Sequence, residues 1–347
     1  MGGAVTTYNR ELSIIIPTFN RKERLLRLLH ALERAMSEGV EFEAVVVVDG
    51  ATDGTEASLD ALRASYPLQV HSQQNRGPAA ARNQGIAAAR GRIVLFLDDD
   101  VVPVPGTIAR HAARHREDPL AVVTGPMIAP VHKRMAPWLE WEAAMLQKQY
   151  AAMQAGLYAP TSRQFYTANA SIAREHVERV GGFDERYRRA EDVELATRLR
   201  DLGLRFHFDA EASVWHEPDR SYSGWLRVAY EYGRYDVISG SRTPDALRLA
   251  CSEWKTRHRL SRMLAHACAG HAVRTRMATD AGRASFAVAK PLLPLIPRRV
   301  QHAGCSALFN LHYWHGVASE SGLGPRIWRF LDRPQRIAAA GGSTTSP

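Results

Sequence analysis

The sequence predicts an α/β fold, a mostly parallel sheet flanked by helices, on three observations. Short apolar, β-branched runs alternate with helix-patterned segments through the first half of the chain. The links between them are short, as right-handed strand–helix–strand crossovers require. The run at residues 93–97 is continuously apolar and ends abruptly in Asp98, Asp99 and Asp100. A strand buried on both faces of a parallel sheet is written as such a run. Open α/β sheets bind ligands at the carboxyl ends of their strands, so the acids stand where a ligand is expected. Their mutual repulsion calls for a counter-charge, and a hard divalent cation bridging phosphate oxygens is the natural one.

The elements follow in order. Residues 12–16 form a first strand closed by Pro17, and residues 21–36 a helix with leucines at 25, 26, 28, 29 and 32 on one stripe. Residues 43–48 give a second strand ended by Asp49-Gly50, and residues 52–65 a second helix that Thr52 or Asp53 can cap. Residues 68–72 are a third short strand, and the alanine-rich stretch 77–90 is a helix leading into the strand at 93–97. Between 126 and 167 the pattern is less regular, although Trp138, Trp141, Met145 and Leu146 share one helical face suited to a core. Beyond Trp225 the chain is mostly helical, with a break at Pro291, Pro294 and Pro297. Residues 10–240 are thus expected to form one domain, 241–340 a basic helical extension, and 341–347 a disordered tail.

Charge is unevenly spread. Residues 1–240 carry 29 basic and 31 acidic side chains, whereas residues 241–347 carry 16 and 5. A tail of net charge +11 on a near-neutral domain implies an anionic partner, such as an anionic membrane surface, unless it is simply a solvated helical face. No recognised nucleic-acid-binding motif accompanies it, so no nucleic acid is expected as a partner. Cys251, Cys268 and Cys305 lack metal or disulfide spacing and read as thiols in a reducing compartment. No signal pattern opens the chain and no stretch approaches spanning length. The expected location is cytoplasmic, peripheral at the inner face of the plasma membrane where the tail docks.

Four segments carry the chemistry. They are Ser13-Ile14-Ile15-Ile16-Pro17-Thr18-Phe19-Asn20-Arg21; Val47-Val48-Asp49-Gly50-Ala51-Thr52-Asp53-Gly54-Thr55; the acidic triplet; and Gly181-Gly182-Phe183-Asp184-Glu185 followed by Glu191-Asp192-Val193-Glu194-Leu195. In this order they resemble the family 2 glycosyltransferases, inverting enzymes of the GT-A fold, over roughly residues 10–240. The resemblance implies a nucleoside-diphosphate sugar donor, a carbohydrate or lipid-linked acceptor, and Mg²⁺ or Mn²⁺.

Residue by residue, it implies that Pro17, Thr18 and Asn20 lie along the nucleotide. Asp49 matches the base-reading acid, which accepts the N3–H of uracil or thymine and so favours UDP or dTDP. Many relatives carry two acids there, whereas here Val48 precedes Asp49; a turn residue before glycine is the alternative reading. Arg76 or Arg82 stacks on the base or contacts phosphate, unless it is a surface arginine. Asp98 and Asp100 match the ends of the family's Asp-x-Asp signature around Asp99. The resemblance gives Asp100 the metal and Asp98 the ribose or a metal-bound water. Alternation along an extended chain would set both on one face. Asn169 is expected in the donor-sugar pocket and His216 near the metal or diphosphate. Asp192 is expected as catalytic base with Glu191 as its partner, although two acids also suit the first turn of a helix.

Competing classes are separated by the loop after the first strand. A nucleotidyltransferase would carry a Gly-rich, Arg-containing loop and a dinucleotide dehydrogenase Gly-x-Gly-x-x-Gly; Pro17-Thr18-Phe19-Asn20 is neither. The remaining alternative is a degenerate relative retained as a sugar- or membrane-binding module.

Overall fold

Period-two burial along the strands divides the core into two layers. The computed structural model describes residues 9–129, 135–187, 189–240, 254, 256–293 and 295–328. In β1 (Arg10–Thr18), Leu12, Ile14 and Ile16 pack with Leu25, Leu28, Leu29 and Leu32 of α1 (Lys22–Ala35). Ile15 faces the other layer, with Ala79 and Ile86 of α3 (Pro78–Ala88) and Leu195 and Leu199 of α7 (Glu191–Asp201). Small residues let α3 lie close to the sheet: a Cβ on Gly85 would come within 2.4 Å of the Ile15 side chain.

The main sheet has seven strands. β2 (Phe42–Asp49), β3 (Leu68–Gln73) and β4 (Gly91–Leu97) join β1 in a parallel group ordered β3-β2-β1-β4. The sheet continues through β8 (Asn169–Ala173), β6 (Ala121–Thr124) and β9 (Arg205–Phe208). β8 pairs antiparallel with both β4 and β6, while β6 and β9 are parallel. Pro17 lies inside β1 rather than ending it, beyond the last β1–β4 pair of Ile15 with Phe96. The second helix, α2 (Thr55–Ala61), is shorter than its sequence pattern; Asp53 Oδ1 accepts from Thr55 N at its start.

A second sheet places one side chain of the site. It has the order β5-β10-β7, from β5 (Val101–Pro103), β7 (Met127–Ile128) and β10 (Val214–His216). β5 follows directly on the acidic triplet, and β10 runs antiparallel to it with His216 opposite Val101. α4 (Thr107–Glu117) precedes β6, and α6 (Arg174–Arg179) follows β8.

The chain divides into two compact units, Met1–Arg134 with Ala143–Pro218, and Met135–Glu142 with Asp219–Pro347. The division falls before α8 (Tyr222–Gly240), not after residue 240 as composition suggested. The reason is packing: Trp225 and Leu226 of α8 bury against Cys305 and Leu308 of α11 (Arg298–Glu320). α5 (Pro137–Gln154) begins in the second unit, where Trp138 and Trp141 join that cluster, whereas Met145 is exposed. The second unit also holds α9 (Arg259–Cys268) and α10 (Ala272–Ala289). Among the described residues no helix is long and apolar enough to cross a membrane. Cys305 is buried and Cys268 partly so, both as free thiols. Cys251 and the 341–347 tail lie outside the described residues.

Candidate active site

The carboxyl ends of β1, β2 and β4 open at one edge of the sheet, and the acidic triplet turns there. β4 ends at Leu97, and Val101 N donates to the Asp98 carbonyl across a turn. The chain at the triplet is therefore not extended, and the same-face argument for Asp98 and Asp100 fails. The two carboxylates take different partners. Asp98 Oδ1 accepts from Arg82 Nη2 at 2.8 Å. Asp100 Oδ2 accepts from Arg21 Nη1 at 2.8 Å, with Arg24 Nη1 at 3.8 Å. Asp99 is buried between Thr18 Oγ1 at 2.8 Å and Arg21 Nη1 at 3.0 Å.

Arginines thus supply counter-charge to the triplet, where the sequence pointed to a divalent cation as the natural source. Arg21 and Arg24 were missed in the sequence. Their signal was spacing, with Arg21, Arg24 and Arg27 recurring every third residue directly after the β1 loop. Burial would raise the Asp100 carboxyl, but His216, Arg21 and Arg24 outweigh it and hold it down to about 2. For Asp99, burial and the like charge of Asp100 prevail over Arg21 and push it up to about 6.

Asp100 Oδ1 is buried without a hydrogen bond among the described residues, and His216 Nε2 lies 3.7 Å from it. A hard oxygen left unpaired beside an imidazole nitrogen suits Mg²⁺ or Mn²⁺. No group of three ligating side chains occurs among the described residues, so substrate oxygens and water would complete the shell. His216 is held in place by the strand end that carries it. Glu217 N donates to the Asp100 carbonyl, and the Glu217 carbonyl accepts from Arg24 Nη1 at 2.7 Å.

Arg82 is the hinge of the site. It is 4% exposed and stands on α3, donating from Nη2 to Asp98 and from Nη1 to Glu191 Oε1 at 2.8 Å. It therefore does not offer itself to a base or phosphate, as the resemblance suggested; it ties the triplet to the Glu191-Asp192 pair. The neighbouring Asn83 clamps Phe183 on both sides, accepting from its N–H and donating to its carbonyl. That contact explains why Arg82-Asn83 and Gly181-Gly182-Phe183-Asp184-Glu185 occur together: a Cβ on Gly182 would strike Asn83 Oδ1 at 2.6 Å.

Glu191 and Asp192 open α7. Ala190 just before them has φ of 56°, and Asn20 beyond β1 has φ of 53°. Among the described residues these are the only non-glycine positions in the left-handed region, and backbone strain of this kind concentrates at functional sites. Asp192 is partly buried and accepts from Val193 N at 2.8 Å. Burial first, and the adjacent Glu191 charge second, raise it to about 7.

The remaining expected residues are placed differently. Asp49 anchors the 73–77 loop: Oδ1 accepts from Gln73 Nε2 and Arg76 N, and Oδ2 from Gly77 N at 2.8 Å. One acceptor direction on Oδ2 remains beyond these bonds. The exposed Arg76 side chain pairs with Glu185 at 2.6 Å. Asn20 Oδ1 accepts from Thr52 N at 2.7 Å, joining the loops after β1 and β2, and Pro17 is partly buried in β1. Asn169 is not in a sugar pocket. It is fully buried, donating to the Ala212 carbonyl at 2.7 Å, with its Oδ1 3.0 Å from His111 Nε2. Burial lowers that histidine to about 4, so the pair is an interior polar clasp.

Comparison with known proteins bears on family and fold. Residues 13–181 match the model of glycosyl transferase family 2. The chain is 30% identical over 242 residues to the pre-mycofactocin glycosyltransferase of Mycobacterium tuberculosis, covering 69% of this chain and 48% of that protein. It is 29% identical over 278 residues to the uncharacterized glycosyltransferase YfnE of Bacillus subtilis, covering 65% and 71%. It thus spans about half the length of the first of these relatives. Among solved structures, the mannosyltransferase PcManGT from Pyrobaculum calidifontis, in complex with GDP-Man and Mn²⁺, superposes with a TM-score of 0.57 at 20% identity. That match covers 88% of this chain and 87% of the other, and it bears on fold alone. The fold is GT-A, and through residues 13–181 the chain belongs to glycosyl transferase family 2.

Proposed function

We propose that the protein is an inverting glycosyltransferase, moving a sugar from a nucleoside diphosphate to an acceptor hydroxyl. The observation that carries this reading is the Arg82 bridge, which ties Glu191, the neighbour of a carboxylate raised to about 7, to Asp98 of the acidic turn. Asp192 takes the acceptor proton as the acceptor oxygen bonds to the anomeric carbon and the carbon–oxygen bond to the diphosphate breaks. A base titrating near the working pH suits that step. Asp100 and His216 would hold Mg²⁺ or Mn²⁺, whose chemistry is to neutralise the diphosphate leaving group.

UDP or dTDP is the proposed donor class, on the free acceptor direction of Asp49, with GDP as the competitor. The acceptor is proposed to be a carbohydrate or lipid-linked hydroxyl of the cell envelope or another glycoconjugate. A thermal-shift panel of UDP, dTDP and GDP, with and without Mn²⁺, tests the donor half. At 100 times the dissociation constant a nucleotide should stabilise by about 2.7 kcal/mol. A Mn²⁺-dependent response that vanishes in Asp100→Ala supports the reading. Silence with every nucleotide overturns it in favour of a degenerate sugar- or membrane-binding module.

A further inference from the structure

The outer face of α10 is apolar where a solvent-facing helix is ordinarily polar. Val273, Met277, Ala281, Ala284 and Val288 recur at steps of four, four, three and four, which makes one stripe on a helix. All five are exposed; Val273, Met277 and Val288 keep 72%, 67% and 76% of their surface open. The opposite face already has its packing. Thr279 Oγ1 lies 2.8 Å from His312 Nε2, and a Cβ on Gly282 would press into Leu308. Among the described residues the outer stripe therefore serves no core, and the apolar exposure continues at Leu292 and Leu295, 52% and 80% open.

Charge identifies what covers it. On the helical wheel Arg274 borders one side of the stripe, and on the other side Asp280 stands at the edge with Arg276 and Arg283 beyond it. Lys290, Arg298 and Arg299 follow, and Asp280 is the one acid from 257 to 300. A second copy of this chain would set like charges against each other across that face. An apolar stripe with arginine on either side, on a segment of net positive charge, is instead the pattern of a helix lying in the lipid interface. We propose that α10, with residues 290–293 and 295–300, seats the protein on an anionic lipid surface. The apolar side chains enter the headgroup boundary, and the basic ones pair with lipid phosphate. The proposal is independent of the transferase reading.

The test is co-sedimentation of the full chain with vesicles of phosphatidylcholine alone and of phosphatidylcholine mixed with phosphatidylglycerol. Wild type should partition onto the mixed vesicles only, and less at high salt. Two triple variants separate the contributions: Val273→Ser with Met277→Ser and Val288→Ser, and Arg274→Gln with Arg276→Gln and Lys290→Gln. Arg283 is left alone because its guanidinium lies over the Tyr222 ring, 5.6 Å from the centroid. The glutamine variant should bind about a hundredfold more weakly, the loss of three interfacial charges. The serine variant should also release the vesicles while its melting temperature is kept; should it unfold, the glutamine variant decides alone. Equal binding to both vesicle types, or unaltered binding by the glutamine variant, overturns the proposal. So does a wild-type dimer that the serine substitutions dissociate, which would make a second copy the occupant.

Discussion

Asp100 and Asp192 are carboxylates of the same sheet mouth, held in opposite states. Around Asp100, His216, Arg21 and Arg24 overcome burial and keep it ionised to about pH 2. Around Asp192, burial and Glu191 prevail, because Arg82, whose charge acts against them, gives its hydrogen bonds to Asp98 and Glu191. The difference lies in where the guanidinium groups end. A carboxylate ionised at every working pH suits holding a cation, and one poised near neutrality suits receiving and giving up a proton. Environments that drive paired acids apart support the proposed division of roles between them.

The most direct way to break this comparison is Asp192→Asn, which removes the base and keeps the shape. Turnover should fall by about 10²–10⁴-fold, while the Mn²⁺-dependent thermal shift with nucleotide persists. Equal loss of binding and turnover would place Asp192 in donor recognition and dissolve the contrast with Asp100. Arg82→Gln attacks the link between the two corners. Removing one partner of a buried ion pair costs about 3–5 kcal/mol, and urea unfolding should show a loss of that order. Arg82→Lys should recover only part, since a lysine cannot span two carboxylates with a planar fork. A loss below 1 kcal/mol, about the worth of a surface pair, would mean that the corners are held together by something else.

Much of the fold was legible because β1, β2 and β4 are buried on both faces, which forces continuous apolar runs whatever their neighbours. The site was legible where local chain geometry decides it: the triplet at a strand end, and Glu191-Asp192 at a helix start. It was not legible where partners arrive from far along the chain. Arg82 reads as a ligand-facing arginine until Glu191, 109 positions on, comes to meet it. Asn169 reads as pocket lining until His111 and the Ala212 carbonyl close over it in the interior. The alternation argument for Asp98 and Asp100 failed because the strand stops at Leu97, and strand boundaries depend on pairing that one segment does not contain. In the second unit periodicity marked helices but could not say which faces meet, and so the outer stripe of α10 was invisible.

The pH profile sharpens the contrast by a smaller effect. With Asp192 titrating near 7, kcat/KM should rise about tenfold between pH 6 and pH 8, ionisation being required for activity. Asp100, ionised throughout, adds no limb in that range. An acid limb near 4 in place of one near 7 would show that burial and Glu191 do not raise the carboxyl.

The smallest expected effect is on stability, and its sign is opposite to that on activity. The Asp192 carboxyl is raised in the folded state from 3.8 to about 7, so between those values the native chain holds a proton that the unfolded chain has released. Where the native state binds more protons, stability falls as pH rises. The cost is absent below about pH 4, grows through the window, and is complete above pH 7. Asp192→Asn carries no charge to desolvate, so the variant should be more stable than wild type at pH 8 by about 1 kcal/mol, the Asp192 carboxyl being only partly buried and sharing its site with Glu191. At pH 4 the two should melt together. Melting temperatures at the two pH values make the measurement. A gain of the same size at both would trace it to packing, and the raised carboxylate would lose its support as the base.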